Sequence, residues 1–285
     1  EKMLTLLLAK LVNLVPEGGI WMTTQRPEWN DANNALVGKG LSVVTLAYLR
    51  RYVVFLRSFL AEADAKNLPI HAEVAEFFKR VAAILTESQP LLAGQFSDAQ
   101  RRTLMDALGQ AGSEYRWNFY KAGLSGQVSE LDLQALLNFL DLAARYIDHS
   151  LRANRRADAL YHSYNTLRLG SGTATVNHLY EMLEGQVAVL SSGLLDGTES
   201  LALLKAMRAS ALFRADQHSY ILYPDRPLKG FVERNRVPAA QISGFKLADA
   251  LLKAGNTSLL VRDELGDYHF AGNFRNGADV TAALA

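Results

Sequence analysis

Apolar residues recur at every third or fourth position over most of the first 212 residues, which is the spacing of an amphipathic helix. Leu4, Leu7 and Leu11 form the first such stripe, and Pro16 ends it. The aromatic-rich residues 114–124 are predicted to be a core-facing connector. The pattern predicts helices over residues 4–15, 36–63, 69–85, 98–109, 129–147, 176–190 and 199–212.

The pattern changes after residue 224, where prolines and glycines interrupt the apolar spacing. A short helix is predicted over residues 245–254, and two short strands over 258–262 and 267–270. The sequence therefore predicts a helical-hairpin domain over residues 1–223 and an irregular C-terminal segment over 224–285. The predicted fold class is mainly all-α, built from antiparallel helix pairs with a small β element near the C-terminus.

Composition and charge argue against several classes of function. The 285 residues have a formal net charge of +1 without long charged blocks, so no nucleic-acid partner and no anionic membrane surface is predicted. No apolar run reaches the length of a membrane span, and no cysteine is present. His and carboxylates show no metal-ligand spacing, so no metal and no cofactor is predicted, and the location in the cell stays unknown. The chain lacks an initiator methionine and stops within an apolar stretch, which indicates a segment of a longer protein.

The polar stretch at residues 23–34 has the highest density of side chains that can act in catalysis or ligand binding. Carboxylates exchange protons, amides bind hydroxyl groups, and an indole stacks on the C–H face of a sugar. One alternative is that Asp31 only caps the following helix. The candidate sugar-lining residues are Arg26, Glu28, Trp29, Asn30, Asp31, Asn33 and Asn34.

Two further candidates lie later in the chain. Glu181 and Glu184 stand three apart on a predicted helix that is otherwise nearly all apolar, where a carboxylate is usually paired or functional. His162 stands among arginines and tyrosines and is a candidate ligand-binding residue, with a structural histidine as the alternative.

Glu28-Trp29-Asn30-Asp31, followed by Asn33 and Gly38, resembles the Asp-Trp-Asn-Asp-Gly-Met-Asn segment of the cellobiose phosphorylase family. Two weaker likenesses follow in the same order, at residues 117–120 and at residues 185–193, which include Gln186. The resemblance implies an inverting glycoside phosphorylase on an (α/α)6 toroid, with Asp31 as proton donor to the glycosidic oxygen, Trp29 as sugar-stacking residue and Gln186 in the substrate site. Fewer helices are predicted than a full toroid has, so a missing segment or a second copy is expected to complete it.

The leading hypothesis is a carbohydrate-active enzyme, or a segment of one, that cleaves a glycosidic bond of an oligosaccharide or glycoside with Asp31 as general acid. Hydrolysis and phosphorolysis both stay open. An inverting hydrolase needs a carboxylate base about 6.5–9.5 Å from the acid, and Glu184 is the candidate. The alternatives are a non-catalytic carbohydrate-binding module and a helical interaction scaffold.

Overall fold

The computed structural model describes residues 1–23, 35–225 and 227–285, and leaves out the side chains of Phe231 and Val232. By its internal contacts the chain divides into two compact units, Glu1–Pro224 and Asp225–Ala285. About 53% of the chain is helical and about 17% is strand.

The first unit is built around long helices whose apolar faces meet in one core. A helix of this length buries its stripe only against other elements, and α2 packs against both α5 and α6. A 3-10 turn at Gln89–Ala93 follows α3. The helices are α1 (Lys2–Leu11), α2 (Val43–Ala61), α3 (Ala72–Ser88), α4 (Asp98–Ala122), α5 (Leu133–Ala153), α6 (Leu183–Ser191) and α7 (Gly197–Ala209).

The first unit also contains an antiparallel five-stranded sheet, in the order β1-β2-β3-β6-β7. Two smaller pairs, β4 with β5 and β8 with β9, complete its strands. The strands are β1 (Leu14–Val15), β2 (Gly19–Trp21), β3 (Gly40–Ser42), β4 (Asn67–His71), β5 (Val128–Asp132), β6 (Tyr164–Gly170), β7 (Thr173–His178), β8 (Phe213–Arg214) and β9 (Ser219–Tyr220).

The prediction of a mainly all-α fold is therefore wrong, and the architecture mixes helices with sheets. The helix-hairpin toroid that the resemblance implied is also not supported, because it contains only helix pairs where this chain has sheets. Residues 176–178 belong to strand β7, and the helix predicted from Val176 begins only at Leu183. Several strands hold only two or three residues, which is too short for the alternation of a strand to stand out in the sequence.

Two glycines were wrongly predicted to end a helix. The fourth helix, predicted to end at Gly109 and Gly112, continues to Ala122. A Cβ at Gly112 would lie 2.6 Å from Cγ2 of Val12, so this glycine allows close packing of α4 and does not end it. The predicted connector is consequently the last part of α4, where Trp117 is 62% and Tyr120 is 68% exposed.

The second unit holds a small core around Ile242, Ala248, Leu259 and Leu260. The two predicted short strands are confirmed as the hairpin β11–β12, and β12 also pairs with β10. Its elements are α8 (Phe231–Arg234), β10 (Arg236–Val237), α9 (Ala239–Ile242), α10 (Lys246–Lys253), β11 (Leu260–Arg262), β12 (Tyr268–Phe270) and α11 (Gly277–Leu284).

The described part of the chain contains neither a candidate membrane span nor a candidate metal cluster. None of its helices has the length and apolarity needed to cross a membrane. In the same residues, no group of three or more His, Asp or Glu side chains is placed to hold a metal ion.

Candidate functional site

The polar stretch connects two neighbouring strands of the five-stranded sheet. Its own residues, Arg26, Glu28, Trp29, Asn30, Asp31, Asn33 and Asn34, lie outside the described residues, so their assigned roles stay predictions. Its two ends are described and tied together. The amide of Met22 donates to the Gly40 carbonyl at 2.9 Å, the amide of Gly38 donates to the Met22 carbonyl at 2.7 Å, and Nε1 of Trp21 donates to the Gly38 carbonyl at 3.1 Å.

Two glycines shape the end at which the chain returns to the sheet. Gly38 has a φ of +81°, a conformation that other residues rarely adopt. A Cβ at Gly40 would lie 2.4 Å from Cβ of Leu36 and 2.7 Å from its carbonyl oxygen. The helix predicted from Leu36 instead begins at Val43, where Oγ of Ser42 accepts the Thr45 amide at 2.9 Å as an N-cap.

Strand β6 pairs with β3, and its first residue contacts the carboxylate of Glu184. Tyr164 pairs with Ser42 across the two strands, and its buried phenol donates to Oε2 of Glu184 at 2.6 Å. Glu184 lies in the first turn of α6 and is half-buried. The predicted base therefore contacts β6, the strand that pairs with β3.

Glu181 does not share a helical face with Glu184, because α6 begins only at Leu183. Its carboxylate pairs with the guanidinium of Arg156 at 3.0 Å, and Arg156 also pairs with Asp158 at 2.7 Å. Both carboxylates are therefore used in ion pairs with Arg156.

Gln186 is fully buried on α6. Its Oε1 accepts the Tyr161 amide at 2.8 Å, and its Nε2 donates to the carbonyls of Tyr161 at 2.7 Å and Met182 at 2.9 Å. These contacts hold α6 against the chain that leads into β6, and so position Glu184. A contact of Gln186 with a ligand stays a prediction.

His162 stacks on His178, with ring centroids 4.2 Å apart and planes 9° from parallel. Nδ1 of His162 lies 2.8 Å from the Leu179 carbonyl oxygen, and Nδ1 of His178 lies 2.8 Å from Oδ1 of Asn165. Burial lowers the pKa of both imidazoles below the ordinary 6.5, so both rings are neutral at pH 7. The ligand-binding role of His162 stays a prediction.

The lowered pKa values predict an acid-sensitive fold. A histidine whose pKa is lower in the folded state adds stability above its unfolded pKa, and this contribution is lost as the pH falls through the folded pKa. The free energy of unfolding should therefore fall as the pH drops below about 6.5. Urea unfolding at pH 7.5 and pH 5.5 measures this loss, and His178→Gln should reduce it. An equal loss in this variant and the wild type would contradict the assignment to the histidine pair.

Arg101 joins the first strands of the sheet to α4. Its side chain is only 7% exposed and donates to the Pro16 carbonyl at 2.8 Å, to Oε2 of Glu17 at 2.6 Å and to the Ala174 carbonyl at 3.0 Å. Glu17 occupies the turn between β1 and β2 with a φ of +61°. The cluster therefore holds β1, β2 and β7 on one helix.

The sequence interpretation missed Tyr164, His178 and Arg101. A signal for the two strand residues was present, because β-branched and aromatic residues flank the glycines at residues 170 and 172. These glycines lie at the two-residue loop of the β6–β7 hairpin, where Gly172 has a φ of +69°. No local signal distinguishes Arg101 from the less buried Arg102 beside it.

Comparison with known proteins finds one relation. Residues 228–285 match the model of a family described as GH149 phosphorylase insertion domain 2. The matched stretch lies wholly within the second unit. It supports a relation of the chain to glycoside phosphorylases through this insertion domain, and it does not include the polar stretch. No curated protein sequence matches the chain.

Proposed function

We propose that this chain is part of a carbohydrate-active enzyme of the glycoside phosphorylase type, which cleaves a glycosidic bond with Asp31 as general acid. Support comes from two separate parts of the chain. The polar stretch resembles a cellobiose phosphorylase segment, and residues 228–285 match the phosphorylase insertion domain. The second of these carries the proposal, because it does not depend on the residues that suggested sugar chemistry.

The proposed chemistry begins with proton transfer. Asp31 protonates the leaving glycosidic oxygen, and Trp29 stacks on the sugar ring while Arg26, Glu28, Asn30, Asn33 and Asn34 line the subsite. A general acid must hold its proton near neutral pH, and a neighbouring carboxylate such as Glu28 favours this state. The residues that flank the stretch, Met22, Gly38 and Gly40, are hydrogen-bonded to one another.

The attacking group distinguishes two versions of the reaction. In hydrolysis, a carboxylate base activates a water molecule on the opposite face of the sugar, and Glu184 is the proposed base. Its hydrogen bond from Tyr164 of β6 would orient the carboxylate. In phosphorolysis, phosphate itself attacks the sugar, so no protein carboxylate is needed for that step.

Product analysis of the whole chain tests the proposed activity. The chain is incubated with a panel of gluco-oligosaccharides, with and without inorganic phosphate, and reducing sugar and sugar 1-phosphate are measured separately. Sugar 1-phosphate formed only with phosphate supports phosphorolysis, and reducing sugar formed without phosphate supports hydrolysis. If calorimetry finds that no oligosaccharide binds and no product forms, the proposal is contradicted.

Glu184→Gln separates the two versions. If water attacks, the substitution should lower kcat by about 10²–10⁴-fold, because it removes the base but keeps the shape of the side chain. If phosphate attacks, the substitution should change kcat by less than about tenfold. Tyr164→Phe is the matched control, since it keeps the ring and removes the hydroxyl that donates to Glu184, and it should cause a smaller loss in hydrolysis than Glu184→Gln.

A second candidate function is a non-catalytic carbohydrate-binding module. It is favoured by one observation, that the matched family is an insertion domain of a phosphorylase. In this case an oligosaccharide should bind, Trp29→Ala should abolish the binding, and no product should form under any condition.

A further inference from the structure

The second unit contains an open cavity of about 430 Å³ whose walls carry two arginines and two phenylalanines. Arg234 ends α8, Arg275 precedes α11, and Phe270 and Phe274 supply apolar surface between them. Of the described residues that line the cavity, none is acidic. The cavity is therefore positively charged with an apolar wall.

Arg234 and Arg275 are both exposed. In the described part of the chain, no carboxylate forms an ion pair with either guanidinium. Two other arginines of this unit have partners, because Arg236 pairs with Asp267 at 2.7 Å and Arg262 lies over the ring of Tyr268. An anion bound in the cavity would supply the two guanidinium groups with a counter-charge.

The backbone beside Arg234 is held in place. Nδ2 of Asn235 donates to the Phe270 carbonyl at 2.9 Å, and the Phe270 amide donates to Oδ1 of Asn235 at 3.0 Å. This double hydrogen bond ties the residue after Arg234 to the end of β12. The backbone that carries Arg234 is thereby attached to the β11–β12 hairpin.

The backbone beside Arg275 is held in the same way. The Arg275 amide donates to Oδ2 of Asp279 at 2.9 Å, and Oδ1 of Asn276 accepts the amides of Ala278 and Asp279. These side chains already satisfy donors at the start of α11, so the helix end is not itself the binding group. The binding capacity lies in the two guanidinium groups.

We propose that this cavity binds a phosphate monoester, with Arg234 and Arg275 holding the phosphoryl group and the phenylalanine rings holding the ester substituent. A guanidinium presents a planar fork of N–H donors that matches phosphate oxygens. Two such forks carry two positive charges, which match the charge of about −1.5 to −2 on a phosphate monoester at pH 7. A carboxylate would leave one guanidinium without a counter-charge. This site goes beyond the proposed function and would stand without it.

Calorimetric titration of the full chain tests the site with three probes: inorganic phosphate, a hexose 1-phosphate and free hexose. Both phosphate compounds should bind, and free hexose should not compete for the site. Tighter binding of the hexose 1-phosphate identifies the ester as the ligand, because only the ester contacts the phenylalanine rings. Equal affinities for the two phosphate compounds overturn the proposed role of those rings.

Variants locate the site. Arg234→Ala and Arg275→Ala should each weaken binding of the hexose 1-phosphate by about tenfold or more, since each removes charge-assisted hydrogen bonds. Arg236→Ala is the matched control, because it removes one positive charge from the same unit outside the cavity, and it should change the affinity by less than about twofold. Equal weakening by all three variants, or no binding of either phosphate compound, overturns the proposal.

Two further variants keep the test independent of folding and of the proposed enzyme site. Arg275→Lys keeps the charge and loses the fork, so it should weaken binding less than Arg275→Ala while the circular dichroism spectrum stays unchanged. Trp29→Ala removes the proposed sugar-stacking residue and should leave unchanged the part of hexose 1-phosphate binding that Arg234→Ala and Arg275→Ala weaken. If Trp29→Ala abolished all hexose 1-phosphate binding, the bound phosphate would belong to the polar stretch, and the cavity site would be overturned.

Discussion

Replacing Asp31 by asparagine should lower kcat by about 10²–10⁴-fold and leave oligosaccharide binding nearly unchanged. The amide keeps the size and polarity of the side chain but cannot give a proton to the leaving oxygen, and proton transfer contributes about this much to catalysis. The affinity is measured by calorimetry and the turnover by product analysis of the same preparation.

The matched control is Asp64→Asn, which makes the same chemical change at an exposed position. It should leave both affinity and turnover unchanged. Asp31→Asn with full activity would contradict the assignment of the general acid, even if sugar binding were established. Loss of thermal stability without any effect on binding or turnover would instead favour the helix-cap interpretation of the polar stretch.

Replacing Arg101 by alanine should lower the free energy of unfolding by about 3–5 kcal/mol, because it leaves the buried carboxylate of Glu17 without its partner. Three carbonyl groups, those of Pro16, Phe96 and Ala174, also lose a donor. Urea unfolding followed by circular dichroism measures the change. Since Arg101 joins the sheet to α4, the variant should also weaken the attachment of β2, from which the polar stretch begins.

The neighbouring arginine provides the control for this prediction. Arg102 is less buried than Arg101 and pairs with the exposed carboxylate of Asp106 on the same helix, so Arg102→Ala should cost less than about 1 kcal/mol. A double variant, Arg101→Met with Glu17→Gln, removes both charges and should be more stable than Arg101→Ala. If the double variant were less stable than Arg101→Ala, the cost would lie in packing and not in the unpaired charge.

Local patterns predicted much of the secondary structure. The stripe of Leu4, Leu7 and Leu11 marks a real helix, and the helix predicted from residue 98 begins there, with Ser97 as N-cap and Gln100 completing a capping box. Strands β11 and β12 of the second unit were also predicted, because a turn separates two runs of β-forming residues. Each of these signals lies within a few residues of the element that it predicts.

The five-stranded sheet could not be predicted in the same way. Strands β1, β2 and β3 have two or three residues each, and their pairing with one another and with β6 joins positions as distant as Gly40 and Thr166. A strand this short is stabilised by its neighbours and not by its own sequence. This is why helices were predicted where the chain forms sheet.

The same distinction between local sequence signals and tertiary contacts applies to the candidate site. The sequence by itself determined which chemical groups the polar stretch carries, and it identified Glu184 as an unusual carboxylate on an apolar segment. Only the tertiary structure decided that Tyr164 contacts Glu184, that His162 stacks on His178, and that Arg101 binds Glu17. Each of these partners comes from a different element, and side chains of different elements meet only after the helices have packed and the strands have paired.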